Sequence, residues 1–250
     1  MTADGWTRAV RQQLGLGRLL PLGGPRDGAW IAESAAETVL RRAGDAVAGV
    51  RTGGLRVAPA GPDSGHEPAV PPPPSALPPG PLRVTAGFTA SGTEPLPTAA
   101  ARLRTALAAT AADSLGLTVT EVDLRVTGLW EQEDEGEGED RGEPSKAPDS
   151  GGAAPSADVP EGGDGARVAA AALAVAGVAR LTGALGGLGR AVHIEERQDG
   201  SPSLPRRHVR VELAARRGHR ALAVAREVRA AVAAALPDAP TVAVLITAVD

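Results

Sequence analysis

The chain has 250 residues, a formal net charge of −4 and no cysteine, so disulfides, thiolate nucleophiles and cysteine-ligated metals are excluded. It has 32 glycines and 22 prolines but only one Phe, no Tyr and three Trp. Any core must therefore be built from Val, Leu, Ile and Ala, which favours small two-layer units over one thick domain.

The N-terminal segment, residues 1–29, carries the signals that bear on location. Trp6, Val10 and Leu14 recur at four-residue spacing, which is typical of an amphipathic segment. It is interpreted either as a short helix on a membrane surface, continued by the leucines that follow it, or as a segment docked on the first folded unit through Trp6 and Trp30. The sequence has no signal-peptide pattern and no long uncharged apolar run, so a cytoplasmic protein, free or peripheral to the membrane, is expected.

The first folded unit is predicted over residues 30–130. Four-residue apolar periodicity favours helices, and period-two alternation favours strands. The interruption at 59–81 is rich in proline and is expected to be extended or disordered. The predicted order is helix, strand, strand, helix, strand, over residues 31–47, 55–57, 82–88, 95–116 and 119–129.

The stretch 131–165 is predicted to be a disordered linker. Between residues 131 and 164, seven Glu and five Asp face one Arg and one Lys. Such a segment lacks the apolar surface needed to offset its ordering entropy.

The second unit, residues 166–250, repeats the order of the first. Its elements are predicted at residues 168–178, 191–195, 209–213, 221–236 and 241–249. Three local matches occur in the same order in both halves: 46–50 with 174–178, 82–84 with 209–211, and 103–107 with 228–232. The predicted fold class is therefore α+β, with two copies of an α-β-β-α-β two-layer unit.

The candidate catalytic patterns favour structural interpretations. No two of the four histidines have metal-ligand spacing, and Glu121 and Asp123 suit a solvated sheet face better than acid–base chemistry. The glycine-rich stretch 183–189 lacks the ending of a phosphate-binding loop and is interpreted as a flexible turn. The chain is predicted not to be an enzyme, with no catalytic, metal or cofactor-binding residues, no cofactor and no small-molecule substrate.

The second unit is basic, with twelve Arg against seven acidic residues. Six of these arginines are predicted to bind an anion or a partner: Arg206, Arg207, Arg210, Arg216, Arg217 and Arg220. Nucleic acid is one candidate partner, but this half has no Phe, Tyr or Trp on which bases could stack. Anionic lipid headgroups or an acidic protein would suit the arginines equally well.

Three features of the first unit carry a family resemblance. The helix ending at Ala48, Gly49 and Val50, the helix around residues 101–104 and the alternating strand 119–129 resemble the alkaline-shock proteins of Gram-positive bacteria. The tandem unit, the proline-rich insertion and the basic second copy depart from that family. The resemblance implies a non-catalytic structural or scaffolding protein in envelope stress homeostasis. It further implies a place at the cytoplasmic face of the membrane, a protein partner there and self-association.

Overall fold

The computed structural model describes residues 15–62, 64–130, 162–185, 189–197 and 206–250. These residues form an α+β fold with four α-helices and nine strands. Trp6 and most of the predicted acidic linker lie outside the described residues. No helix in the described part of the chain is long and apolar enough to cross a membrane.

The first half contains a three-stranded sheet, in the predicted order of elements. Strand β3 is antiparallel to β4, and β4 is parallel to β5. A π-helical segment, Thr110–Leu115, continues helix α2 up to Gly116, where the helix was expected to end. The elements are α1 Glu33–Asp45, β3 Val50–Pro59, β4 Leu82–Ser91, α2 Leu96–Ala109 and β5 Val119–Trp130.

The second half contributes to a six-stranded sheet. Strands β6 and β7 both pair antiparallel with β8, which is parallel to β9. The prediction of a helix up to Val178 was wrong at its end, because the helix stops at Leu173 and Val178 begins a strand that pairs with β8. The elements are α3 Gly163–Leu173, β6 Val178–Leu181, β7 Val192–Arg197, β8 Arg206–Ala215, α4 Ala221–Ala235 and β9 Thr241–Val249.

Two strands that sequence patterns missed complete the six-stranded sheet. Strand β1, Leu19–Pro21, pairs antiparallel with β2, Ala29–Ala32, and β2 pairs parallel with β9. The prediction that the first helix includes Ile31 was therefore wrong, since this residue lies in β2 and α1 begins at Glu33. The burial of Leu16, Leu19 and Leu20 also contradicts a membrane-surface helix that includes these leucines.

Trp30 lies in a different place from the one predicted. Docking on the first unit was expected, but Trp30 is opposite Leu245 of β9, in the sheet of the second half. Its side chain is 1% exposed, and its indole Nε1 donates a hydrogen bond to the carbonyl of Leu77 at 3.2 Å. The proline-rich loop is thereby attached to the N-terminal strands, and a further backbone bond joins the N–H of Leu77 to the carbonyl of Leu19.

Both sheets contain the same irregularity at the same topological position. In the first, Phe88 pairs with Val126 but the next pair skips Thr127, whose hydroxyl donates to the carbonyl of Phe88 at 3.1 Å. In the second, the strand skips Thr247 in the same way, and its hydroxyl donates to the carbonyl of Leu213 at 3.3 Å. A bulge leaves one residue out of the ladder, and the threonine hydroxyl supplies a bond to the strand at that point.

The strand pairings can be compared between the two halves of the chain. Val50 pairs with Ala90, and Val178, the matching residue of the AVAGV repeat, pairs with Ala215. The offset of 125 residues between Ala90 and Ala215 is the offset that also relates the matching helices. An offset of 125 residues also relates Val84 to Val209, whereas the sequence match of residues 82–84 with 209–211 has an offset of 127, and that match stays a prediction.

The two halves meet where the π-helical segment approaches α4. Gly116 has φ +86°, and a Cβ added there would lie 2.4 Å from Cβ of Leu222. Its carbonyl accepts from the N–H of Gly23, and the carbonyl of Ala112 accepts from Nε of Arg220 at 3.1 Å. Glycine at position 116 is thus required both by the left-handed backbone and by the close approach of the second half.

Replacing Gly116 with alanine is expected to destabilise the protein more than the same change at Gly218. Both glycines have φ +86°, but nothing lies within 4 Å of a Cβ at Gly218. Because the backbone strain of an alanine is the same at both positions, it drops out of the comparison. The overpacking against Leu222 should therefore lower the free energy of unfolding of the Gly116 variant by about 1–3 kcal/mol more than that of the Gly218 variant. Urea denaturation of both variants measures this difference, and equal losses would contradict the close contact between the halves.

Candidate functional site

The arginines predicted to form one binding patch lie at two ends of strand β8. Arg207, at its beginning, pairs with Asp164 at 2.5 Å and Asp238 at 3.4 Å. Arg216 and Arg217 follow its end, about 30 Å away at the rise of a β-strand. The side chain of Arg206 lies outside the described residues.

Three of the predicted arginines are exposed after the end of β8: Arg216, Arg217 and Arg220. Arg210 lies within the strand and is largely buried. Arg216 donates from Nε to the carbonyl of Val178, and Arg220 is held by the π-helical segment of the first half. Arg210 is only 14% exposed at its side chain, and its Nε has no hydrogen-bond partner in the described chain. It points instead towards a buried carboxyl group.

That carboxyl belongs to Glu212, which the sequence analysis did not single out. Its side chain is fully buried, and its Oε2 accepts hydrogen bonds from the backbone N–H groups of Ala184 and Leu185, at 2.8 and 2.9 Å. The glycine-rich turn therefore does bind an anion-forming group, but that group is an internal side chain. The backbone carbonyl of Glu212 accepts from the N–H of Thr182, just after β6, and its N–H donates to the carbonyl of Ala191, just before β7.

Burial raises the pKa of Glu212 to about 7, against the lowering effect of the two amides and of Arg210. Oε1 has no hydrogen-bond partner and lies 3.7 Å from Nε of Arg210 and 3.6 Å from Nε2 of His193. Burial, followed by the charge of Arg210, lowers the pKa of His193, whose Nε2 contacts the carbonyl of Arg190 at 3.0 Å. This cluster joins Ala184 and Leu185 to strands β7 and β8 through a buried carboxyl group whose pKa is raised and an imidazole whose pKa is lowered.

The sequence carries only a weak signal of this cluster. Arg210 and Glu212 alternate with Val209, Val211 and Leu213, as Asp123 and Arg125 alternate with apolar residues in β5. Alternation predicts a solvated polar face in both strands. In β8 that face is covered, because the turn lies over Glu212 and the run Pro71–Pro74 lines a cavity with Arg210. Only the tertiary structure distinguishes the two strands.

An open groove of about 510 Å³ lies between the proline-rich loop and α4. Its wall is mainly Ala, Val and Pro, with the two cations Arg226 and Arg229. Both cations are engaged, since Arg226 pairs with Asp27 at 2.7 Å and Arg229 donates to the carbonyls of Val242 and Arg26. The groove offers no convergent set of uncommitted polar groups, and the prediction that the chain is not an enzyme stays a prediction.

Within the described residues, strand β5 is the edge of its sheet, whereas β9, which is also the last strand of its half, lies inside one. The five residues from Val242 to Ile246 are all buried between β8 and β2. In β5, Val126 is 41% and Leu129 63% exposed, although alternation predicted Val126 to face inwards. The first sheet therefore ends in a twelve-residue strand with exposed apolar side chains.

No family model, curated protein or solved structure matches this chain. The resemblance to the alkaline-shock proteins is accordingly an expectation from the sequence alone.

Proposed function

We propose that the protein is a non-catalytic scaffold of the cell envelope stress response, held at the cytoplasmic face of the membrane through a protein partner. The feature that carries the proposal is the edge strand β5, which pairs on its outer side with no other strand of the described chain and has Val126 and Leu129 exposed. Exposed strand edges add strands from other chains, and apolar side chains beside them supply contact area. The envelope location is taken from the resemblance to the alkaline-shock proteins.

The two halves are further proposed to be duplicated copies of one unit. The shared order of strand pairings, the AVAGV repeat and the threonine bulges at Thr127 and Thr247 support this. A duplicated unit in which one copy has a covered edge and the other an open edge suits a scaffold. The first copy presents the interaction surface while the second is closed by β1 and β2.

Membrane fractionation tests the location and the surface together. The full-length protein should sediment with membranes at low and at high salt, because a protein–protein contact that buries apolar surface resists screening. Leu129→Asp should move it to the soluble fraction, while Leu173→Asp should not. Leu173 is a matched control, since it is a leucine 45% exposed on α3, away from β5. Wild-type protein that stays soluble at both salt concentrations contradicts the proposal.

A second candidate function is binding to an anionic surface or nucleic acid. Arg216, Arg217 and Arg220 favour it, because all three are exposed at one corner of the second half. The double variant Arg216→Glu/Arg217→Glu would then release the full-length protein from RNA or from anionic vesicles, and salt would do the same. Retention that neither salt nor this variant changes contradicts this candidate.

A further inference from the structure

The open edge of β5 is self-complementary. We infer that a second copy of this chain pairs with it, β5 against β5 in antiparallel orientation about a twofold axis at Leu124, to form one continuous six-stranded sheet. The inference rests on the proposed function only in taking β5 as the interaction surface. It names the occupant of that surface from the order of side chains along the strand.

The faces of β5 limit the registers that are available. Val122, Leu124 and Val126 pair with Val84, Ala86 and Phe88 and lie on the helix-covered face. Glu121, Asp123 and Arg125 lie on the opposite face, opposite Arg83, Thr85 and Gly87. Directly opposed residues in an antiparallel pair share a face, so the twofold axis must pass through a residue rather than between two.

The charges then select among the central registers. An axis at Asp123 places two aspartates opposite each other, and an axis at Arg125 places two arginines opposite each other; like charges in that position are destabilising. An axis at Leu124 opposes Asp123 to Arg125 twice. On the other face it opposes Val122 to Val126 twice and Leu124 to itself. Every opposed pair from residue 122 to residue 126 then consists either of two opposite charges or of two apolar side chains.

The charged side chains are available for this pairing. Asp123 is 61% exposed at its side chain, and its contact with Arg83 is a long one of 3.4 Å. Arg125 is exposed and makes no ion pair with the described part of the chain. The guanidinium of Arg104 donates to the carbonyl of Val122 at 3.2 Å, a contact of an exposed side chain that can be exchanged for a backbone partner. In the dimer, Asp123 of the second copy neutralises the charge of Arg125.

The contrast with β9 gives the physical reason for a covering strand. There β2 pairs with residues 244–246 and places Trp30 beside β9 on one face and Ile31 beside it on the other, and these parts of both strands are buried. In β5 the corresponding apolar residues are half-buried or exposed. A second β5 supplies the missing neighbour for Val122 and Leu124 and lies over Val126.

A charge-swap series on the full-length protein tests the register. Sedimentation equilibrium over a wide concentration range should show a dimer for the wild type. Asp123→Arg and Arg125→Asp, each of which creates two repulsive pairs, should each raise the dimer dissociation constant about tenfold or more. The double variant D123R/R125D restores opposite charges across the axis and should return the dissociation constant to near the wild-type value.

Each other outcome overturns the inference. A monomeric wild type shows that no second copy binds, and single variants that dimerise like the wild type place the contact elsewhere. A double variant as weak as the singles rules out the Leu124 register. Circular dichroism of each variant establishes that it is folded.

A cross-linking measurement keeps the test independent of the charge variants. The natural chain has no cysteine, so Leu124→Cys introduces a single thiol on the axis. A short bis-maleimide should cross-link two copies of the Leu124→Cys variant. It should not cross-link the control Thr85→Cys, because Thr85 is exposed but lies on β4, one strand further from the proposed axis. No excess of cross-linked dimer over the control contradicts the inference. A wild type that dimerises but does not sediment with membranes refutes only the proposed location. A monomeric wild type that sediments with membranes, and that loses this sedimentation in Leu129→Asp, refutes only the binding of a second copy.

Discussion

Replacing Trp30 with alanine is expected to lower the free energy of unfolding by about 3–5 kcal/mol, the range for a fully buried aromatic residue. Trp30 is 1% exposed, lies opposite Leu245 and donates its indole N–H to Leu77. The change therefore removes core volume and leaves a carbonyl of the proline-rich loop without its partner. Urea denaturation followed by circular dichroism measures the loss.

Trp130→Ala is the matched control for this substitution. Trp130 is half-buried at the end of β5, where the guanidinium of Arg51 lies 4.3 Å from its ring centroid. Its loss should cost about 1–2 kcal/mol, since less apolar area and one cation–π contact are removed. If both variants lose equal stability, the N-terminal strands are not an integral part of the second sheet.

Glu212→Gln is expected to change how stability depends on pH. The pKa of Glu212 is raised by burial from its ordinary value of 4.5 to about 7. Between these values the folded protein holds a proton that the unfolded chain has released, so the stability from this group is full below about 4.5 and is lost as the pH rises to about 7. Relative to Glu212→Gln, the wild type should lose about 3 kcal/mol of unfolding free energy over this interval.

The comparison with glutamine isolates Glu212 from its neighbours Arg210 and His193, which both proteins share. Glutamine keeps a carbonyl oxygen for the N–H groups of Ala184 and Leu185 but carries no titrating proton. Urea denaturation at several pH values gives the difference curve. Glu227→Gln, on an exposed part of α4, should show the wild-type pH dependence. A flat difference between wild type and Glu212→Gln contradicts the buried carboxyl.

Local patterns were sufficient where an element has one covered face. The stripe of α4 was predicted as Leu222, Ala225, Val228 or Arg229, Val232 and Leu236, and its five apolar residues are all buried. In α1 the same reasoning chose Val39, whereas Leu40 is the fully buried residue. Helix α1 contacts both β3 and β9, so its buried surface is wider than a single stripe can indicate.

The short strands were beyond sequence reasoning for a physical reason. Residues 19–21 and 29–32 have no alternation, because β1 and β2 are buried on both faces. Short apolar runs of this kind do not distinguish a strand from part of a helix, and β9, the partner of β2, lies more than two hundred residues away in the chain. Only tertiary pairing decided their structure.

Strand β5 also separates what the sequence determined from what the tertiary structure decided. The sequence by itself determined the order of elements in the first unit, the alternation of β5 and, through Asp123, Leu124 and Arg125, the self-complementary order of its side chains. The tertiary structure alone decided that β9 is enclosed between β8 and β2, that β5 is the edge of its sheet among the residues described, and that the polar face of β8 is buried at Glu212. Periodicity is a property of neighbouring residues, whereas coverage depends on which distant segment packs against a face.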